Sequence, residues 1–221
     1  MLKTLLALTL LADPKPGEYL AARGGGQLAL TAKTFHLSAY GANGHTCELE
    51  GTRTAQGGKV NEGTCAVSFS ADDAGVTVKS LDDEACHHWC GARAWFEDTY
   101  LVTPAACLPQ KVRATRATFK AHYDQKHWAE AKADLTPVLA SCATVLDFEL
   151  QGWLRNDLAV TLHHLKDDRG CLAVLEPLRE LASHVDDEVV SPVEPTYEES
   201  YRSLARASAT NLTLCSAPKP P

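Results

Sequence analysis

At Pro104 the hydrophobic period of this chain changes from two to about 3.6, and no single class of secondary structure can satisfy both halves. Before that point the alternation of apolar and polar residues is plain in residues 27–32 (QLALTA), 35–40 (FHLSAY), 65–70 (CAVSFS) and 76–80 (VTVKS). Successive side chains of a strand point to opposite faces, so each segment buries one face and wets the other. Turn residues punctuate them: Gly24-Gly25-Gly26, GANG at 41–44, QGG at 56–58, NEG at 61–63 and DDAG at 72–75. Short strands at this spacing predict a small antiparallel barrel or sandwich. Residues 81–91 do not alternate, and they predict a loop or single helical turn between the last two strands.

Beyond Pro104 the apolar residues fall at helical spacing. Residues 111–142 place Val112, Phe119, Tyr123, Ala131, Leu135 and Leu139 on one stripe, and 146–182 do the same with Leu154, Leu158, Leu162, Leu172 and Leu175. A further helix is expected at 197–214, before the tail SAPKPP. The boundary falls in 103–109 (TPAACLP), where prolines and small residues suit a linker. Pro137 and Pro177 stand 40 residues apart, and the same offset pairs Ala131 with Cys171 and Leu135 with Leu175. Small residues recur where two helices cross closely, so the offset reads as an internal repeat of helical hairpins.

The stretch NDLAVTLHHLKDDRGCLAVLEPL resembles a tetratricopeptide repeat, with Ala159 as the small residue of the first helix and Cys171 at the usual alanine of the second. The resemblance covers about 112–182, and its spacing is longer than the family's period of about 34 residues. It implies a binding or scaffolding module. The expected fold class is therefore α+β, with a small antiparallel disulfide-tied β-barrel or sandwich at 13–103. A tetratricopeptide-like α-hairpin domain follows at 104–215, and 216–221 form a disordered tail.

Eight cysteines divide four and four: Cys47, Cys65, Cys86 and Cys90 in the strand half, and Cys107, Cys142, Cys171 and Cys215 from the linker onward. An even number, scattered singly, reads as disulfides in an oxidising compartment. The N-terminus points the same way. A basic start at Lys3, an apolar run from Leu5 to Ala12, then Asp13 and Pro14 fit a secretory signal peptide at 1–12, too short to span a bilayer. The expected location is periplasmic or secreted. Three pairings are open within each half. Cys107–Cys142 would tie a helical hairpin to the linker, and Cys171–Cys215 would anchor the last helix. Cys47–Cys65 would join strands, and Cys86–Cys90 would close a tight loop.

The densest cluster of chemistry-bearing residues is CHHWCGARAWF at 86–96. As a metal site it is weak: adjacent histidines point apart, CxxxC lacks knuckle spacing, and no second ligand pair follows. As a redox couple it lacks the second cysteine, because Arg93 stands where WCGxC needs it. No nucleophile elbow, HExxH or haem-attachment pattern occurs elsewhere, so no catalytic residue, cofactor or metal is assigned. A net charge of −7 with no basic run also excludes nucleic-acid binding. The motif reads as a disulfide staple whose edge offers Gly91, Arg93, Trp95, Phe96 and Tyr100 to a protein partner.

The order GEYLAA, GANGHTCELEGT, CAVSFS and CHHWCGARAWFEDTY resembles the small exported β-domains of bacterial periplasmic proteins, some of them lysozyme-inhibitor-like. The C-type lysozyme inhibitors are similar in being disulfide-tied eight-stranded barrels that plug the enzyme's cleft with a loop. Here Gly91, Arg93 and Trp95 supply the glycine, basic and aromatic residues of such a loop, without copying its Ser-Gly-x-x-Tyr pattern. The resemblance implies a non-enzymatic binder of a lysozyme or another cell-wall hydrolase. The alternatives are an enzyme acting on cell-wall carbohydrate or peptide, and an envelope scaffold.

Overall fold

The computed structural model describes residues 13–41, 44–54, 57–185 and 198–217. The expected signal peptide lies outside them, as do positions 218–221 of the expected tail. The chain divides into two compact units, one ending at Val102 and the other starting at Thr103, with Ala22–Gly24 grouped with the second.

The first unit is a closed barrel of eight strands in sequence order: β1 (Gly17–Ala21), β2 (Gly26–Leu30), β3 (Thr34–Tyr40), β4 (Thr46–Thr54), β5 (Gly57–Val60), β6 (Ala66–Ala71), β7 (Gly75–Ser80) and β8 (Asp98–Val102). Every pairing is antiparallel, and β8 closes on β1 through Tyr19↔Val102 and Ala21↔Tyr100. Closure leaves no unpaired strand edge. It also settles the choice left open between barrel and sandwich.

The period-two pattern does what it predicts. In β4 the burial alternates along TCELEGTRT, with Cys47, Leu49 and Gly51 inward. Leu28, Leu37, Leu49, Val60, Val67 and Val78 fill the interior, where Phe35 meets Phe69 edge-on at 5.5 Å. A barrel of this strand number is just wide enough to be filled by its own side chains. Between β7 and β8, where a loop or a single helical turn was expected, the chain makes a short helix, α1 (Asp83–His87), whose N-cap Asp82 accepts a hydrogen bond from Ala85 N–H at 3.1 Å.

The strand-half disulfides differ from the expected ones: Cys47 pairs with Cys90, and Cys65 with Cys86. The reason is topological. β5 lies between β4 and the start of β6, so Cys47 and Cys65 do not sit on adjacent strands. In an up-and-down barrel every odd-to-even connection lies at the same end, so the β7–β8 connection returns over both cysteines. Cys86 takes one and Cys90 the other. Each bridge closes 21 or 43 residues and stabilises by about 3–4 kcal/mol through the unfolded chain.

The second unit is helical: α2 (Pro109–Asp124), α3 (Trp128–Cys142), α4 (Phe148–His164), α5 (Asp168–Leu175), α6 (Arg179–Ser183) and α7 (Glu198–Ser216). The last helix runs to Ser216, so the expected tail boundary moves inside it. The repeat offset has a structural counterpart. Lys126 and Lys166 both take the left-handed conformation after the first helix of their hairpin, at φ 61° and 66°. Ala131 and Cys171 are both fully buried, as are Leu135 and Leu175. Cys107–Cys142 and Cys171–Cys215 form as expected. Pro137 stays inside α3, whereas Pro177 sits in a 3-10 turn that separates α5 from α6.

A polar network joins α4 to α7. Buried Asn156 donates to Gly152 O and to Ser208 Oγ, both at 2.9 Å, and its carbonyl accepts from Asn211 at 2.7 Å. Among the described residues no helix is long and apolar enough to cross a membrane.

Candidate functional site

Residues 88–95 leave α1 and turn back along the start of β4. Cys90 faces Cys47 across an antiparallel bridge. Glu48 N–H donates to Trp89 O at 3.1 Å, and Gly91 N–H donates to Thr46 O at 2.9 Å. Ala94 N–H then closes a tight turn on Gly91 O at 2.9 Å, and Arg93 N–H meets His45 Nδ1 at 3.4 Å. The loop is thus held by one covalent bond and by backbone bonds on both sides of it.

Two glycines make this approach possible. A Cβ on Gly91 would lie 2.6 Å from His45 Nδ1, and one on Gly41 would overlap the Arg93 carbonyl oxygen. Gly41 and the CGARA segment are therefore neighbours in space. Tyr40, at the last position of β3, is 64% exposed at this end. It was missed in the sequence, although it carries the outward parity of 35–40: Phe35, Leu37 and Ala39 point in, so Tyr40 points out.

The five expected contact residues separate. Arg93 is exposed, and Gly91 and Trp95 are partly buried. Trp95 packs on the barrel core, with its ring 4.9 Å from Phe96 and edge-on to His87 at 5.5 Å. Phe96 and Tyr100 are corrections: they are 0% and 1% exposed, inside the barrel, and cannot meet a partner in the folded protein. The Tyr100 hydroxyl donates to Phe96 O at 2.8 Å, and burial, helped by Asp98, pushes its pKa well above that of a free phenol. Both aromatics serve the core because the barrel needs large side chains to fill the end that the β7–β8 connection covers. Among the described residues no group of three or more His, Cys, Asp or Glu is placed to hold a metal ion.

The helical unit carries a groove of about 510 Å³ between α2 and α4. Arg113, Arg116, Lys120 and Tyr123 line one wall, and Asp157 and Val160 the other. Arg116 Nε donates to Asp157 Oδ2 at 3.1 Å across it. Burial raises the Asp157 pKa above the usual carboxylate value, and the Arg116 charge opposes that rise without cancelling it. Beside the groove Trp128 stacks on His164 at 4.1 Å and 8°, with Tyr123 edge-on to Trp128 at 4.9 Å. Desolvation lowers the His164 pKa, and the charges of His163, Lys166 and Lys126 lower it further.

No protein-family model, curated protein or solved structure matches this chain.

Proposed function

We propose that this is an exported, non-enzymatic protein-binding molecule. The barrel presents the loop 88–95, flanked by Tyr40, to a lysozyme or another cell-wall hydrolase. The observation that carries the reading is the pinning of that loop: Cys47–Cys90 and the flanking backbone bonds hold Arg93 outward on a rigid frame. A preorganised loop loses little conformational freedom on binding, and arginine and tyrosine are favoured anchors of protein interfaces. The filled interior favours a surface role over small-molecule carriage. Four disulfides suit an oxidising compartment outside the cytoplasm. A net charge of −7 favours encounter with a basic hydrolase.

Titrating the protein against C-type, g-type and i-type lysozymes tests this. Stoichiometric inhibition of one of them, weakened by Arg93→Ala and Tyr40→Ala, is the expected result. No inhibition of any rejects the lysozyme assignment, and release of fragments from peptidoglycan by the protein alone would favour the enzymatic alternative.

The groove between α2 and α4 supports a second reading: a tetratricopeptide-like pair of hairpins that receives an extended peptide. The hairpin repeat and the charged lining of the groove, where Arg116 pairs with Asp157 and Lys120 with Asp124 beside Arg113, favour it. A change in Trp fluorescence on peptide addition, absent from a Trp128→Phe variant and weakened by Lys120→Glu, is the expected signal. An unchanged response in both variants places the peptide elsewhere.

A further inference from the structure

The four disulfides are not equally protected. Cys47, Cys65, Cys86, Cys107, Cys142 and Cys171 are 0% exposed and Cys215 is 3% exposed. Cys90 is only partly buried, at the rim of the barrel core. Its bridge to Cys47 lies between the two backbone bonds Glu48 N–H to Trp89 O and Gly91 N–H to Thr46 O. The pair therefore occupies a narrow, non-hydrogen-bonded position of an antiparallel ladder, with Cα atoms 4.0 Å apart. No barrel strand depends on it: β1 to β8 close through their own ladders, and the β7–β8 connection keeps its second tie at the buried Cys65–Cys86 bridge.

We propose that Cys47–Cys90 is a thiol-reducible latch that regulates the contact loop; this rests on the reading of 88–95 as the contact surface. The co-reactant is a dithiol, either a small molecule or the exposed pair of a dithiol oxidoreductase. One thiolate of that dithiol attacks Cys90 Sγ, the sulfur of the less buried cysteine of the pair, and forms a mixed disulfide. The Cys47–Cys90 bond breaks, its electron pair leaves on Cys47 Sγ, and that thiolate takes a proton. The second thiol of the dithiol, deprotonated, attacks its partner sulfur in the mixed disulfide and displaces Cys90 as a thiolate, which is protonated in turn. The protein disulfide is reduced to two thiols and the dithiol is oxidised to its disulfide. The covalent tie one residue before Gly91 is then gone, so the loop loses part of the frame that presents Arg93.

Native full-length protein is treated with dithiothreitol at neutral pH, quenched at intervals with an alkylating reagent, and mapped by peptide mass spectrometry. Label is expected on Cys47 and Cys90 at least about tenfold faster than on the other six cysteines. Equal rates, an earlier pair elsewhere, or no label without denaturant overturns the latch. This readout needs no partner, so it stands apart from the contact reading. Binding of C-type lysozyme is then compared between intact and singly reduced, alkylated protein. Reduced affinity with an unchanged far-UV spectrum supports regulation. Equal affinity of the two forms overturns it, and no binding by the intact form removes the contact reading while leaving the labelling order as it was measured.

Discussion

Gly41 and Arg93 lie so close that a methyl group on Gly41 would overlap the Arg93 carbonyl oxygen. Gly41 N–H is meanwhile committed to His45 O at 2.8 Å, so the hairpin cannot slide away. Gly41→Ala should destabilise the barrel by about 1–3 kcal/mol, the usual cost of forcing extra volume into a packed site. Urea denaturation monitored by Trp fluorescence measures it.

Phe96 and Arg93, three positions apart, should behave oppositely. Phe96→Ala removes a fully buried ring and is expected to cost about 3–5 kcal/mol of stability. Arg93→Ala, on an exposed side chain, should change stability by less than about 0.5 kcal/mol while weakening hydrolase binding. Thermal denaturation and a binding titration on both variants separate core from contact.

Cys86, inside α1, and Cys90, beyond its end, serve different partners, Cys65 and Cys47. Chymotryptic cleavage after Trp89 separates them, so non-reducing peptide mapping should recover Cys47–Cys90 and Cys65–Cys86 as distinct species, with no free thiol. Recovery of a Cys47–Cys65 peptide would refute this pairing.

Asn156 is 4% exposed and satisfies partners on both α4 and α7. Asn156→Leu should leave the Asn211 amide without its acceptor and cost about 1–3 kcal/mol. Hydrogen exchange should show the loss first as faster exchange in α7, and unchanged protection there would count against the network.

His164 should make the helical unit less stable in mild acid. Its folded pKa is lowered, so below the unfolded value of about 6.5 the unfolded chain binds more protons than the native one. This contribution is complete above that value and is lost as pH falls from there through the folded pKa. Guanidinium denaturation at pH 7.5 and pH 5.5 should show a smaller acid loss for His164→Gln than for the natural chain.

The period-two alternation in 35–40 and 65–70 and the helical stripe through Leu154, Leu158 and Leu162 are local properties, set by which side chains must leave water together. They made the strand half and the helical half legible from the sequence. In the helical half the pairings Cys107–Cys142 and Cys171–Cys215 were one of three connectivities that the sequence left open, and the structure has that one. The strand-half pairing was not. Which cysteines meet there depends on β5 intervening between β4 and β6, and on one end of a closed barrel collecting every odd-to-even connection. Nor does a list of residues tell an aromatic that fills a barrel from one that meets a partner. Phe96 and Tyr100 went inside because closing eight strands leaves an end to be filled, and Tyr40, on the outward parity of β3, stayed on the surface. Periodicity along the chain determined the elements; barrel closure, a relation between residues far apart in sequence, decided which side chains are left to act.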